Sequence, residues 1–273
     1  MNNESPQFFD IVFVVLVYKN IEVLKDFFKS LRIPFTYKVI VVNSFFDDES
    51  QDECERVAKD NNADFVAIPN RGYSYGNNVG CLYAIEHYIY SFLMVSNSDV
   101  IINDFDYLVY LSEKKAVYAP ATKMLSGHRQ NPNIPYKSRL FLYFLQQAYK
   151  YESDIILRIA HIVNRLYREA YLLYSRIVKN KCIKIFAPHG SFIIFTYLAS
   201  KELMPIFNDK MFLYNEELFL AYHCKQKEIP VYYVPKLKLT HLEGASSNAK
   251  SNSWSNHKQS FNVLQTWIKD NNL

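Results

Sequence analysis

Buried strands alternate with helical patterns along the first part of the chain, and this alternation is the strongest constraint on its fold. Continuous apolar runs predict strands at 11–18, 37–42, 64–68 and 90–95. Helical patterns lie between them, at 22–31, at 50–61, and from the glycine-containing segment 70–80 to about residue 90. Strands that alternate with helices pair as βαβ units in a mostly parallel sheet. The sequence therefore predicts an α/β fold.

A polar turn, Ser96-Asn97-Ser98-Asp99-Val100, directly follows the fourth apolar run. It would deliver the carboxylate of Asp99 to the carboxyl end of the sheet, which is where ligands bind in open α/β folds. A carboxylate in this place suits a hard divalent cation that bridges phosphates. A structural reading competes with this one, because most Asp residues after strands form turns or cap helices.

The alternation stops after a further predicted strand at 116–120. Shorter elements return from Ile183 onward, with strands predicted at 192–196 and 231–234 and helices at 216–224 and 261–268. Neither an internal repeat nor a low-complexity linker interrupts the chain. This organisation predicts one compact domain that carries a helical insertion.

The segment 123–181 is strongly basic. It holds eleven Lys or Arg residues against three acidic ones, a net charge of +8 in a chain whose total is +4. Within it, 154–179 is the clearest helical pattern, with one apolar side and one side that carries Arg158, Arg165, Arg168 and Arg176. Three interpretations stay open: a surface helix on the core or against another subunit, a helix resting on an anionic membrane, and a nucleic-acid contact. No nucleic-acid-binding motif accompanies the charge, so a nucleic-acid partner is not expected.

Composition narrows the class of protein. Apolar residues make up 49% of the 273 residues, with 22 Tyr and 20 Phe, which allows a large core and surfaces that stack on sugars. The four cysteines form no CxxC pair, which fits a reducing cytosol better than a zinc site or a disulfide framework. A polar start and the lack of a long apolar stretch predict no signal peptide and no membrane span. We therefore expect a cytoplasmic protein, either free or peripheral on the inner face of the plasma membrane.

Three glycines, Gly72, Gly76 and Gly80, lie between a predicted strand and a predicted helix. Glycines there let the backbone turn and approach a ligand closely, and the following helix N-terminus favours anions. The segment matches neither GxGxxG nor GxxxxGK[ST], so it predicts neither a dinucleotide fold nor a P-loop. A purely structural turn is an equally good interpretation.

Two late motifs carry titratable side chains. Glu216 and Glu217 open a helix after the aromatic run Phe212-Leu213-Tyr214, where acidic residues either complement the helix dipole or supply a general base. At most one of two adjacent side chains would face a substrate. His241 follows a strand-like run; it is either a structural histidine or, with another ligand nearby, a metal ligand.

Taken in order, these motifs resemble the inverting GT-A glycosyltransferases of the large bacterial family (glycosyltransferase family 2-like) that includes rhamnosyl- and galactofuranosyltransferases. The likeness runs from Ile11 to about Ser246. The segments that carry it are Val15-Leu16-Val17-Tyr18-Lys19-Asn20, Val41-Val42-Asn43-Ser44 with Asp48 and Ser50, the turn 70–80, Asn97-Ser98-Asp99 at the DxD-type metal motif, His189-Gly190-Ser191-Phe192, the base-containing segment from Phe207 to Leu220, and the late His241.

The resemblance implies a GT-A fold, a Rossmann-like mixed and mostly parallel sheet, in a single catalytic domain spanning 1–273. It implies a nucleotide-sugar-binding half at 8–120, the basic helical insertion at 122–181, an acceptor and base half at 183–246, and a tail with a helix at 247–273. It also implies residue roles. Glu217 would be the base; Val17, Tyr18, Asn43, Asn70, Gly72, Asn78, Asn97 and Ser98 would bind the donor; His189, Gly190 and Glu216 would lie on the acceptor side; Asp99 and His241 would hold Mg²⁺ or Mn²⁺.

Four residues and one segment depart from the family pattern. Asn43 stands where the family has an Asp that binds uracil or thymine, and Glu217 is one methylene longer than the usual Asp base. Phe219 replaces an Asp and His223 an Arg. The segment from about Thr122 to Lys181 has no counterpart that aligns.

The function implied is transfer of a hexosyl or deoxyhexosyl unit from a UDP- or dTDP-sugar to a saccharide acceptor, free or lipid-linked, in cell-surface polysaccharide synthesis. Inversion follows from in-line attack, with Glu217 taking the proton of the acceptor hydroxyl. The alternative is a non-catalytic GT-A-like subunit that binds nucleotide-sugar or glycan in an assembly complex. A nucleotidyltransferase is disfavoured because 17–22 contains no glycine. A homo-oligomer is compatible with either function.

Overall fold

The protein was analysed as a computed structural model, which describes residues 7–44, 47–177, 182–242 and 253–273. The strands are β1 (Phe8–Val17), β2 (Tyr37–Asn43), β3 (Asp64–Ala67), β4 (Ile89–Asn97), β5 (Val100–Asp104), β6 (Val117–Met124), β7 (Ile183–Lys184), β8 (Phe192–Thr196) and β9 (Val231–His241). The helices are α1 (Ile21–Ser30), α2 (Asp48–Asp60), α3 (Tyr73–His87), α4 (Arg139–Tyr151), α5 (Asp154–Ile177), α6 (Tyr197–Glu202), α7 (Glu216–Gln226) and α8 (Ser253–Asp270).

Within these ranges the strands form one mixed sheet in the order β3-β2-β1-β4-β8-β6-β9-β5, with β7 paired to β9. Strands β3, β2, β1 and β4 are mutually parallel and alternate with α1, α2 and α3, which is the predicted βαβ half. β8 is antiparallel to β4 and β6, and β9 returns parallel to β6. The expected α/β fold with a mixed, mostly parallel sheet is confirmed.

The central strands are buried on both faces, which explains their continuous apolar runs. Along β1, Val12 and Val14 pack into the cluster under α3, whereas Ile11, Phe13 and Val15 pack into the cluster under α1 and α2. The alternation follows from the two-residue period of a strand. Because both faces are covered, a ligand can reach these strands only at their ends.

The glycine-containing segment 70–80 opens a helix, as predicted, but it is helical for most of its length, so less of it forms a turn than the motif suggested. Helix α3 begins at Tyr73, so Gly76 and Gly80 lie inside it. A Cβ at Gly80 would lie 2.3 Å from Cγ1 of Val14, and one at Gly76 would lie 2.5 Å from Cδ1 of Leu16. These two glycines therefore let α3 pack closely on β1.

The basic insertion forms a helical hairpin of α4 and α5, of which only α5 was predicted. Phe141, Leu145 and Tyr149 of α4 pack with α7 and α8 in a third apolar cluster. Their spacing of four residues is a helical signal that the sequence carries. The predicted helix end at Lys179, the basic residue Lys181, and the predicted polar loop from Glu243 to Ser246 lie outside the described residues.

Helix α5 does not use its apolar side for the core. Ile155, Ile162, Leu166 and Leu173 are 72%, 58%, 66% and 59% exposed. The side that faces the protein instead carries buried Ala160, Arg168, Leu172 and Ser175. Helix α5 therefore does lie on the core, as one interpretation held, but not through these exposed residues. In the part of the chain that the structure describes, no helix is long and apolar enough for a membrane crossing.

Candidate active site

Asp99 and His241 meet at one edge of the sheet. Ser98 and Asp99 form the two-residue turn between β4 and β5, and β5 pairs antiparallel with β9 so that Val100 lies opposite His241. The backbone N–H of Leu242 donates to the carbonyl of Asp99 at 2.9 Å, which holds the end of β9 against this turn. As a result Oδ1 of Asp99 lies 3.0 Å from Nε2 of His241, and both side chains are buried.

The other nitrogen of the His241 ring determines how this pair behaves. Nδ1 lies 2.9 Å from Oε1 of Gln130, an acceptor, so Nδ1 carries the proton and donates. In the neutral ring Nε2 then presents a lone pair to the carboxylate of Asp99. Two acceptors this close require a cation between or beside them, either a proton or a metal ion. Gln130 was not predicted; it lies in the loop after β6 and only the fold brings it to His241.

The carboxylate of this pair suits Mn²⁺ or Mg²⁺, and the imidazole favours Mn²⁺ of the two. Mn²⁺ accepts imidazole nitrogen and carboxylate oxygen together, and Mg²⁺ in phosphate sites is held by one or two carboxylates plus the phosphates of the substrate. Over the described ranges, no group of three or more His, Cys, Asp or Glu side chains is arranged to hold a metal. A cation at Asp99 and His241 would thus have two protein ligands, with further positions for phosphate oxygens and water.

The segment 189–191 connects this pair to the acidic helix α7. The backbone N–H of Asn97, at the end of β4, donates to the carbonyl of Ser191 at 2.9 Å. The hydroxyl of Tyr73 donates to the carbonyl of Gly190 at 2.6 Å. The N–H of Gly190 in turn donates to Oε1 of Glu217 at 3.1 Å. The predicted metal turn and the predicted base are thereby held against the same three residues.

The ring of His189 lies beside that of His241, with centroids 6.1 Å apart. Its Nδ1 accepts from the backbone N–H of Ser191 at 3.2 Å, so the proton sits on Nε2. Burial and the neighbouring His241 lower the pKa of His189 to about 3, which keeps the ring neutral. The carboxamide of Asn131, another residue that the sequence did not reveal, accepts from the N–H of His189 at 2.8 Å.

Glu216 and Glu217 are adjacent but have different surroundings. Glu216 is 5% exposed and its Oε1 has no hydrogen-bond partner, whereas Glu217 is half-buried and bonded to Gly190. Burial, together with the charge of Glu217, raises the pKa of Glu216 to about 8. Burial also raises the pKa of Glu217. Two adjacent carboxylates cannot both be charged cheaply at neutral pH, and the more buried Glu216 is the one that keeps its proton.

The backbone just before this pair is strained. Tyr214 and Asn215 both have positive φ, 74° and 64°, which is uncommon for residues other than glycine. Helix α8 braces the turn, because the ring of His257 stacks on that of Tyr214 at 3.8 Å and the carboxamide of Asn215 donates to the carbonyl of His257. Tyr149 of α4 donates to Oδ1 of Asn215 on the other side. The turn that aims Glu216 and Glu217 is thus held by α4 and α8.

A cavity of about 280 Å³ reaches from Asn97 and the segment 189–191 to Glu216 and Glu217; Asp99 and His241 lie beside it and do not line it. Asn97 and His189 line it at the sheet edge, and Glu216 and Glu217 line its floor on α7. The hairpin covers it from the other side through Tyr149, His161 and Asn164, and α8 adds His257. The insertion that could not be aligned with any family pattern therefore supplies one wall of the cavity. Tyr149, His161 and His257 were not predicted as lining residues.

The predicted donor-binding residues fall into two groups. Val17, Asn43 and Asn97 end neighbouring strands in register, with Val17 opposite Asn43 and Leu16 opposite Asn97, and Tyr18 and Ser98 follow directly. The other group lies before or within α3. Asn70 accepts from the N–H of Gly72, and Gly72, with φ of 96°, lies against the backbone of Phe212. The carboxamide of Asn78 is bonded to the backbone of Phe207 and to Asp209, contacts that account for it without a ligand.

Comparison with known proteins relates the fold to one class. No protein-family model matches the chain. No curated protein matches it in sequence. Among solved structures, it is similar to GalNAc-T7 with UDP, GalNAc and Mn²⁺, with a TM-score of 0.61 and 12% identity over 99% of this chain and 50% of that one. It is also similar to the mannosyltransferase PcManGT from Pyrobaculum calidifontis in complex with GDP-Man and Mn²⁺, with a TM-score of 0.54 and 11% identity over 97% of this chain and 67% of that one.

The chain thus has the GT-A fold found in glycosyltransferases, which confirms the fold expected from the motif order. It spans half the length of the GalNAc-T7 chain. At this level of identity the likeness establishes the architecture. The activity has to be argued from the residues of the site.

Proposed function

We propose that this protein is an inverting, metal-dependent glycosyltransferase that moves a sugar from a nucleotide-diphosphate donor to a saccharide acceptor. One observation carries the proposal: the segment 189–191 contacts both the turn of Asp99, through Asn97, and the carboxylate of Glu217. A candidate cation-binding pair and a candidate base would thus be fixed relative to each other through this segment. The GT-A fold supports the same reading, since both similar structures contain Mn²⁺ and a nucleotide or nucleotide-sugar.

The donor would bind at the carboxyl ends of β1, β2 and β4. Val17, Asn43 and Asn97 present backbone and carboxamide groups there, and Tyr18 and Ser98 flank them. Asp99 and His241 would hold Mg²⁺ or Mn²⁺ against the diphosphate. When bound, such a cation supplies positive charge to the leaving nucleotide diphosphate. The donor itself we propose to be a UDP- or dTDP-sugar carrying a hexosyl or deoxyhexosyl unit.

The acceptor would occupy the cavity between α7 and the helical hairpin. Its attacking hydroxyl must lose a proton, and Glu217 is the group that would accept it. Gly190 N–H fixes Oε1 of Glu217 and leaves the second oxygen for the hydroxyl. Glu216, kept protonated by burial, would leave Glu217 as the single negative charge of the pair. Attack from the face opposite the leaving group inverts the anomeric centre without a covalent sugar–enzyme intermediate.

The neutral ring of His189 has a positioning role in this scheme. Ser191 fixes its tautomer, and its protonated Nε2 is a hydrogen-bond donor on the cavity side of the metal pair. The rings of Tyr214 and His257, stacked at 3.8 Å, would present a flat surface of the kind that sugars pack against. We place the reaction in the synthesis of a cell-surface polysaccharide, in the cytoplasm or on the inner face of the plasma membrane.

The experiment is a screen of UDP-, dTDP- and GDP-sugars with Mn²⁺, reading out nucleotide-diphosphate release and the thermal shift of the protein. We expect one donor to stabilise the protein and to be hydrolysed slowly, with release abolished in Glu217→Gln but stabilisation retained. Stabilisation without any release, in the presence of a panel of saccharide acceptors, would instead identify a non-catalytic GT-A-like subunit. The absence of any stabilisation would contradict the donor site.

A further inference from the structure

Helix α5 presents an exposed apolar stripe. Its members recur at spacings of three, four and seven residues, which puts them on one side of the helix: Ile155, Ile159, Ile162, Leu166 and Leu173. Four of the five are more than half exposed. Tyr151 and Tyr174, at 62% and 57% exposure, lie near the two ends of the stripe. Large apolar side chains concentrated in this way mark an interaction surface.

A basic row runs beside the stripe. Arg158, Arg165 and Arg176 are exposed, and their spacings of seven and eleven residues keep them on one flank of α5. Glu169 is the exposed acidic residue on that flank. Arg168 does not belong to the row, contrary to the sequence prediction, because its side chain is buried and donates to the carbonyl of Arg129 at 3.1 Å. The row therefore consists of guanidinium groups that are free to meet a partner surface.

The combination of an apolar stripe, a basic flank and aromatic residues at both ends fits the surface of an anionic bilayer. Apolar side chains enter the boundary between headgroups and acyl chains, arginines meet lipid phosphates, and tyrosines favour the interface. A second copy of the chain fits less well. In an antiparallel two-fold pairing through this stripe, the arginine row of one copy would lie beside the same row of the other, which is repulsive.

We infer that α5 docks this protein on an anionic lipid surface through its exposed stripe. The opposite side of the same helix lines the cavity of Glu216 and Glu217 through His161 and Asn164. Docking would therefore set the cavity next to the lipid headgroups. Resting on the proposed transferase function, this placement favours a saccharide acceptor that is carried on a lipid.

The test is co-sedimentation of the full chain with phosphatidylcholine vesicles that contain or lack phosphatidylglycerol. We expect binding to the anionic vesicles only, with loss at about 1 M salt, where the screening length falls to about 3 Å. The paired variants Ile162→Ser/Leu166→Ser and Arg158→Gln/Arg165→Gln should each weaken binding at least tenfold. Leu198→Ser on α6 and Lys29→Gln on α1 are matched controls, since they remove an exposed Leu and an exposed cation elsewhere.

Three results would overturn the inference: protein that stays in the supernatant at low salt, equal binding to neutral vesicles, or paired variants that bind like the controls. Analytical ultracentrifugation tests the competing interpretation, in which a second copy of the chain binds the stripe. A dimer that dissociates in Ile162→Ser/Leu166→Ser, without vesicle binding by the unmodified protein, would assign the stripe to a second copy. Vesicle binding without nucleotide release would refute the transferase and leave the docking surface intact, because neither measurement depends on the other.

Discussion

The carboxylate of Glu217 lies directly against Gly190, whose backbone N–H donates to its Oε1 at 3.1 Å. A Cβ at position 190 would lie 3.0 Å from that oxygen, so any larger residue would push the carboxylate back by a few tenths of an ångström. The contact fixes the side chain of Glu217 from the turn that precedes β8 rather than from its own helix. The position of the proposed base is therefore tied to the same edge of the sheet as Asp99.

Replacing Glu217 by Gln should remove the base and keep the shape of the site. We expect kcat to fall roughly 10²-fold or more, equivalent to about 2.7 kcal/mol of transition-state stabilisation, with donor binding unchanged. Steady-state kinetics and donor titration measure the two quantities. Glu216→Gln is the matched control and should lower kcat much less. If Glu216→Gln had the larger effect on kcat, the roles of the two residues would be exchanged.

Replacing Asp99 by Asn should weaken metal-dependent donor binding and abolish most turnover, because the amide cannot supply the negative charge that a divalent cation requires. Calorimetric titration of the nucleotide diphosphate with and without Mn²⁺ measures the loss. Asp104→Asn serves as the control, since Asp104 lies at the end of β5 in an exposed ion pair with Lys238. Full activity of Asp99→Asn, or of the unmodified protein in excess EDTA, is incompatible with the proposed metal site.

Gly190→Ala should separate activity from stability. The added methyl group meets the flexible end of Glu217, which can shift by a few tenths of an ångström at little cost to folding, and this shift would misplace the proposed base. We expect kcat to fall at least tenfold with a nearly unchanged melting temperature. Gly80→Ala is expected to behave in the opposite way, because its methyl group meets Val14 and Val42 in the core, and overpacking costs about 1–3 kcal/mol. A large loss of stability in Gly190→Ala would mean that the glycine serves packing alone.

The buried Glu216 should make the protein less stable as the pH rises. Its pKa is raised from 4.5 to about 8, so the folded state keeps a proton that the unfolded state has already lost. Unfolding then releases a proton, and stability falls with pH across this window by up to about 1.4 kcal/mol per pH unit. Below pH 4.5 both states are protonated and the effect vanishes.

Glu216→Gln removes this titration, so its stability should exceed that of the unmodified protein by a margin that grows from pH 5 to pH 8. Thermal melts across that range measure the margin. Tyr73, Tyr149 and Glu217 face the same region and are unchanged in the variant. Glu202→Gln, which changes an exposed partner of Lys115, should give a curve parallel to the unmodified protein. Parallel curves for Glu216→Gln as well would show that Glu216 is ionised in the folded state.

Much of the parallel half of the fold could be predicted because its signals are local. Strands that are buried on both faces, such as β1 and β2, appear in the sequence as continuous apolar runs. Polar residues follow these runs at the edge of the sheet where ligands bind. The turn of Asp99 and the acidic start of α7 are equally local, so Asp99, Glu217 and His241 were found as candidates. The ligands of the proposed metal site, the role of each of these residues and the substrates stay predictions.

What the sequence did not reveal depends on contacts between distant segments. Gln130, Asn131 and His257 lie in no recognisable motif, and only the fold brings them to His241, His189 and Tyr214. For the glycines of α3, a ligand-binding turn and a structural turn stayed equally open, because a glycine that allows close helix packing looks the same in sequence. For the apolar side of α5, the core, another subunit and a membrane stayed open for a similar reason: periodicity identifies a side of a helix but not what that side meets.

The pairing of Asp99 with His241 joins residues 142 positions apart, and Tyr73 reaches Gly190 across 117. During synthesis, β4 and its turn emerge long before β9 exists. A growing chain therefore carries a complete parallel half with only one of the two proposed cation ligands, and the cation can bind strongly only after β9 has paired with β5. If the proposed metal site is correct, a chain that ends before β9 would lack His241 and should turn over no nucleotide-sugar.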